Sequence, residues 1–116
     1  DLLHIFFEMA DGSYLAFFDV PGKPFEFKEQ DPSDLHIALE VDAATLKAKY
    51  DEATAAGRPV FGPAQLEYLK SIYFRDPNGY IVELTTPTEG YEDGMDPEKN
   101  DARAILDRWQ ADMHPG

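Results

Sequence analysis

Apolar and polar residues alternate over 34–41, Asp-Leu-His-Ile-Ala-Leu-Glu-Val. This predicts a strand with Leu35, Ile37, Leu39 and Val41 on one face and His36, Ala38 and Glu40 on the other. The period then changes. Asp42 is placed to cap a helix over 43–56, with Leu46, Tyr50 and Ala53 as its apolar stripe and Gly57 as its stop. A short strand near 59–61, a loop through Gly62 and Pro63, and a strand over 68–75 follow. Asp76-Pro77-Asn78-Gly79 carries turn chemistry, and a last strand runs over 80–86 before Pro87. Residues 34–87 therefore read as one β-α-β-β-β unit.

Upstream, residues 2–9 and 14–20 read as two strands joined by Ala10-Asp11-Gly12-Ser13. Pro21-Gly22-Lys23-Pro24 closes this segment, 1–22, and the polar stretch 23–33 reads as a linker. The segment echoes the last hairpin of the following unit. Ile5-Phe6-Phe7-Glu8 resembles Ile72-Tyr73-Phe74-Arg75, and matching Tyr14 to Tyr80 sets Phe17 against Glu83, with the first turn one residue longer. Residues 1–22 thus look like the C-terminal hairpin of an earlier, incomplete β-α-β-β-β unit. Residues 88–116 form an acidic tail with a helix starting near Asn100 or Asp101. Ala102, Ile105, Leu106, Trp109 and Met113 share one of its faces, which predicts docking on the domain or on a second subunit.

Composition narrows the function classes. The 116 residues are 43% hydrophobic, enough for one packed domain, and the formal net charge is −13. That charge disfavours nucleic acid and anionic membrane surfaces as partners. The absence of Cys excludes a disulfide scaffold, and no apolar run reaches the length of a membrane span. No signal peptide is visible, so a cytoplasmic location is expected. The chain begins at Asp1 without a Met, which reads as a chain missing its true N-terminus.

Glu83 sits between Val82 and Leu84 on the last strand, where a buried carboxylate needs a partner, a proton or a cation. His36, on the first strand of the same unit, supplies a second donor. A neutral imidazole and a carboxylate suit Zn2+, Mn2+ or Fe2+. A single strand His is commonly structural, and a single strand Glu commonly faces solvent. Found together on strands of one unit, they form a candidate metal site. His4, Glu8, Asp19 and His114 read as structural or solvated residues. The acids Glu92, Asp93, Asp96 and Glu98 lack calcium-loop spacing and read as a solvated linker.

On these residues the chain resembles the vicinal oxygen chelate superfamily, which includes glyoxalases, extradiol dioxygenases, fosfomycin-modifying transferases and bleomycin-binding proteins. The resemblance covers 1–86 and is strongest over 34–86. Ile72, Tyr73, Asp76, Pro77, Gly79 and Glu83 follow the extradiol dioxygenase pattern. It implies an α+β fold in which paired β-α-β-β-β units form a cupped mixed sheet around a metal. It also implies that His36 and Glu83 are metal ligands. A third ligand, a His on the first strand of the preceding unit, is absent from these residues. The glyoxalase carboxylate position is matched to Phe17, which binds no metal.

The leading expectation is a metal-dependent dioxygenase using Fe2+, with Mn2+ or Zn2+ as alternatives, acting on vicinal oxygens of a small aromatic substrate with O2. Tyr73 would orient substrate as the catalytic Tyr, with His4, Phe6, Phe17 and Phe74 lining the substrate cavity. One departure weighs against ring cleavage: Ala64, Gln65 and Leu66 stand where the extradiol pattern carries a His. The alternatives are a fosfomycin-type transferase, which would want cationic residues for a phosphonate, and a non-enzymatic bleomycin-type binding protein, whose cationic ligand would suit the acidic charge. A homodimer is expected, because units in this superfamily often pair across subunits.

Overall fold

The computed structural model describes residues 1–26, 29, 31–33 and 35–116. Part of the expected linker (Phe27, Lys28 and Gln30) and Asp34, the expected first strand residue, lie outside the described residues.

The elements are β1 (Leu3–Glu8), β2 (Tyr14–Asp19), β3 (His36–Glu40), α1 (Ala43–Ala55), β4 (Phe61–Gln65), β5 (Leu69–Arg75), β6 (Ile81–Pro87), α2 (Tyr91–Met95) and α3 (Ala102–Met113). They form an α+β architecture with two sheets. β1 and β2 make an antiparallel hairpin. The larger sheet has the order β3-β6-β5-β4, with β3 parallel to β6 and the other pairs antiparallel. This is the expected β-α-β-β-β arrangement, with β6 and β5 as its two central strands.

Local chemistry fixes α1. The Asp42 carboxylate accepts from the Thr45 backbone N–H at 2.7 Å, which satisfies one of the free donors of the first turn. At the other end Gly57 takes φ +67° and donates to Thr54 O, while Arg58 N–H reaches back to Ala53 O. This pair of bonds is a Schellman close. The helix presents Leu46 to the sheet, where Leu46, Ile72 and Leu84 form the buried core. Leu39, Val41, Tyr50, Val60 and Phe74 pack around them. Burial of side chains of this size contributes about 1.5–3 kcal/mol each. The helix therefore covers one sheet face and leaves the opposite face free of core residues.

β4 departs from the sequence reading. Gly62 and Pro63 lie inside this strand, not in a loop after it, and the register with β5 shifts between Phe61 and Ala64. Gly62 allows this. At φ +101°, a Cβ there would stand 2.7 Å from the Ser71 carbonyl oxygen, so only glycine lets β4 approach β5 this closely.

The two hairpins are built alike. Met9 N–H donates to Ser13 O and Gly12 N–H to Met9 O; Asp76 N–H donates to Tyr80 O and Gly79 N–H to Asp76 O. The strand registers then carry residues 3–8 onto 70–75 and 14–19 onto 81–86 at one constant offset. The expected repeat is present, but its register is one residue off the sequence match. The turns are equally long, Tyr14 corresponds to Ile81, and the position equivalent to Glu83 is Ala16 instead of Phe17. The paired tyrosines misled the match because Tyr80 belongs to the turn and Tyr14 to a strand.

The acidic tail is more ordered than a solvated linker. α2 spans part of it, with Gly94 seated against the Tyr68 ring, where a Cβ would meet ring atoms at 2.5 Å. Lys99 bridges to Asp93 at 2.8 Å, and Asp96 accepts from Glu98 N–H. α3 carries the expected stripe, yet Ile105, Leu106, Trp109 and Met113 are all exposed, so the domain body does not cover them. Among the described residues no helix is long and apolar enough to cross a membrane.

Candidate functional site

The sheet face away from α1 presents a grid set by strand register. Arg75, Ile81 and His36 form one row across β5, β6 and β3; Tyr73, Glu83 and Ala38 the next; Ser71, Thr85 and Glu40 the third. Alternation along each strand puts these side chains on one side and the core on the other. The sequence places a charged residue, Glu83, on the central strand of this face, and the structure buries it to 7% exposure.

Glu83 leans toward β3. Its Oε2 lies 3.4 Å from His36 Nε2, and the small Ala38 directly opposite leaves room for that approach. The separation is longer than a normal N–H···O hydrogen bond, about 2.7–3.2 Å. Two donors each about 2.1 Å from one ion in tetrahedral geometry stand about 3.4 Å apart, so the spacing suits a shared cation. The donor chemistry, one imidazole and one carboxylate, suits Zn2+, Mn2+ or Fe2+. Among the described residues, no group of three or more His, Cys, Asp or Glu side chains could hold a metal ion. His36 and Glu83 are thus a pair of potential donors, not a three-ligand set.

Tyr73 faces Glu83 directly across the β5–β6 pair. Burial pushes its phenol above the ordinary range; a hydrogen bond to Glu83 and the charge of that carboxylate push the same way, while the Ser71 hydroxyl opposes them. The phenol thus stays protonated and able to donate. Beside it, Ser71 is fully buried and donates to Thr85 Oγ1 at 2.9 Å. Arg75 stands at the rim, its guanidinium tied through Nη1 to the Gly79 carbonyl at 2.6 Å.

The four apolar or aromatic wall residues expected from the sequence divide differently. Phe74 follows Tyr73 on β5 and so takes the opposite face, where it packs against the core. It is a core residue, and the expectation that it lines the cavity is corrected by strand alternation. His4 and Phe6 share one face of the hairpin: the His4 ring lies 4.1 Å from Phe6 and stacks on Phe18 at 4.0 Å. Phe17 takes the other hairpin face, against Phe7 at 5.8 Å. By the hairpin equivalence, His4 and Phe6 correspond to Ser71 and Tyr73 on the site face, whereas Phe17 corresponds to Leu84 on the core face. Phe17 therefore cannot line the same wall as His4 and Phe6. The Phe17 position was also matched to the glyoxalase carboxylate; Ala16, which takes that place, equally offers no metal donor.

Sequence reasoning missed Ser71, Thr85 and Arg75. The available signal was the period: residues 71, 73 and 75 share a strand face, as do 81, 83 and 85.

No family model matches the chain. A relative named metallothiol transferase FosB, from Shouchella clausii (strain KSM-K16), is 31% identical over 99 residues, covering 73% of this chain and 67% of the relative. A solved structure, an integron cassette protein from the mobile metagenome of a Halifax Harbour sewage outfall, aligns with a TM-score of 0.45 at 24% identity. That alignment covers 61% of this chain and 66% of the other, so the chain spans about two thirds of the length of each protein. The identity and coverage of the transferase match, together with the β-α-β-β-β sheet, make this chain a member of the vicinal oxygen chelate superfamily.

Proposed function

We propose that the chain belongs to a metal-dependent transferase that joins a small-molecule thiol to an electrophilic substrate bearing vicinal oxygens. The 3.4 Å approach of His36 Nε2 to Glu83 Oε2, on the face opposite the core, carries this reading. The similarity to a metallothiol transferase supports the reaction class. His36 and Glu83 would hold a divalent cation. When bound, such a cation acts as a Lewis acid on the substrate's vicinal oxygens.

The remaining roles fall to this chain's own side chains. Tyr73, kept protonated, donates a hydrogen bond within the site and holds the Glu83 carboxylate in orientation. Arg75, on the same face, offers N–H donors to an anionic substrate group and supplies the cation that a phosphonate-type substrate needs. Ile81, between Arg75 and His36 in the grid, gives that row an apolar floor. A Lewis-acid role requires no change of oxidation state, so Mn2+ or Zn2+ serves as well as Fe2+.

Extradiol ring cleavage has one observation in its favour, the cross-strand pairing of Tyr73 with Glu83. Against it stand Ala64, Gln65 and Leu66 where a His is needed, and a relative that is a transferase. The deciding experiment incubates full-length, Mn2+-loaded protein with a low-molecular-weight thiol and a panel of epoxides, some bearing phosphonate or carboxylate groups. Metal-dependent loss of free thiol is expected. O2 uptake with catechols and no thiol consumption would reverse the assignment.

A further inference from the structure

The α1 side of the sheet holds a cavity that the proposed reaction does not use. It lies between α1 and strands β4, β5 and β6, and its volume of about 370 Å3 falls within the range of about 300–1,000 Å3 for small-molecule sites. Leu46, Tyr50 and Pro63 give it an apolar lining. Lys70 and Thr86 give it a polar side, and they are direct cross-strand partners on β5 and β6. Thr86 is 4% exposed, and among the described residues its hydroxyl has no hydrogen-bond partner. Among the same residues, no side-chain oxygen sealed from solvent lacks a partner. The Thr86 hydroxyl is therefore not sealed; it opens onto the cavity that its residue lines. A largely buried hydroxyl costs free energy unless something meets it there.

Water meets many such hydroxyls, and a lysine on a strand commonly just reaches solvent. The charges around the cavity point further. Lys47 and Asp51 also line it, but they neutralise each other as an i,i+4 ion pair. Lys70 forms no ion pair among the described residues, in a chain with 23 acidic and 10 basic side chains. Cross-strand partners stand about 5 Å apart at Cβ, so the Lys70 ammonium and the Thr86 hydroxyl can meet one carboxylate. We propose that this cavity binds a small monocarboxylate with an aliphatic tail. The carboxylate accepts from Lys70 Nζ and Thr86 Oγ1, and the tail lies against Leu46, Tyr50 and Pro63. The site is on the opposite sheet face from His36 and Glu83, and it does not depend on how that pair is read.

The test titrates octanoate into the full-length protein by isothermal calorimetry, with thermal unfolding recorded alongside. Saturable binding at one site per chain and a raised unfolding temperature are expected. Octanol keeps the tail without the charge, and acetate keeps the charge without the tail; each is expected to bind at least about 10-fold more weakly. Lys70→Gln is expected to weaken octanoate about 10–100-fold and to leave octanol unchanged. Thr86→Val, which keeps the side-chain shape, is expected to weaken octanoate about 10-fold. Should Thr86→Val fail to fold, Lys70→Gln carries the test, because Lys70 is exposed. Two controls fix the place. Lys49, paired with Glu52, does not line the cavity, and Lys49→Gln is expected to bind octanoate as wild type does. The same is expected of His36→Ala, on the other sheet face. Folded wild-type protein that shows no saturable octanoate binding overturns the inference. Equal weakening by Lys70→Gln and Lys49→Gln overturns it too, since net charge alone would then explain the binding. Loss of binding in His36→Ala places the ligand on the other face and overturns it as well.

Discussion

His36 Nε2 and Glu83 Oε2 stand 3.4 Å apart on parallel neighbouring strands, although the helix and two further strands separate them in sequence. The parallel pairing requires the α1 crossover, and the crossover places the core on one sheet face. The pair therefore meets on the other face, where no core residue competes for the space. The fold thus positions two donors before any substrate or ion is considered.

Tyr73 predicts a pH dependence of stability. Its folded-state pKa is raised, by burial first and then by Glu83, so the native state keeps the phenol proton longer than the unfolded chain does. The contribution is fully present below the unfolded phenol pKa, about 10, and is lost as pH rises through the folded value. Urea unfolding followed from pH 8 to 11 is expected to show wild-type stability falling more steeply than that of Tyr73→Phe. Parallel curves would show that Tyr73 contributes nothing to the slope.

Arg75 predicts a specificity effect. Losing one charge-assisted hydrogen bond to an anionic substrate group costs about 1.5–3 kcal/mol, or about 10–100-fold in binding. Arg75→Gln is expected to raise KM by about that factor for phosphonate- or carboxylate-bearing substrates and to leave neutral ones unaffected. Equal changes for charged and neutral substrates would remove Arg75 from anion recognition.

The core and the site separate under mutation. Leu46→Ala is expected to cost about 2–5 kcal/mol in urea unfolding, because α1 holds the sheet through this buried side chain. Phe74→Ala is expected to lower stability by a smaller amount, since Phe74 is half-buried, and to leave KM unchanged. A changed KM with unchanged stability would return Phe74 to the cavity wall.

The exposed stripe of Ile105, Leu106, Trp109 and Met113 favours association, and we propose that the full-length protein is a homodimer. Light scattering coupled to sizing is expected to give twice the chain mass. Trp109→Glu is expected to reduce that mass, whereas a wild-type monomer would contradict the proposal.

Much of the fold was legible because its signals are periodic. Alternation marked His36–Glu40 and the two strands around Asp76-Pro77-Asn78-Gly79, and Asp42 with Gly57 marked both ends of α1 within a residue. β4 was not legible, because Gly62-Pro63 is loop chemistry in isolation and becomes strand only through the close approach to Ser71. The hairpin repeat was visible, but its register depends on turn hydrogen bonds that residue identity does not report. Phe17 was misplaced for that reason. Of the candidate site, the approach of Glu83 to His36 was readable because a carboxylate among aliphatics demands a partner. Ser71 and Thr85 carried no such signal, since small hydroxyl residues are ordinary in strands. The short helix α2 was hidden by Gly94, whose role is contact with the Tyr68 ring.

The central claim is that His36 and Glu83 jointly hold a divalent cation, and metal content tests it most directly. Full-length protein, purified without chelators and with its thermal unfolding recorded alongside, is to be analysed by elemental mass spectrometry after equilibration with Mn2+ or Zn2+. The account predicts close to one ion per chain in wild type and large losses in both His36→Ala and Glu83→Ala, with the variants still folded. No ion in the wild type, or full occupancy in folded variants lacking either side chain, would contradict it.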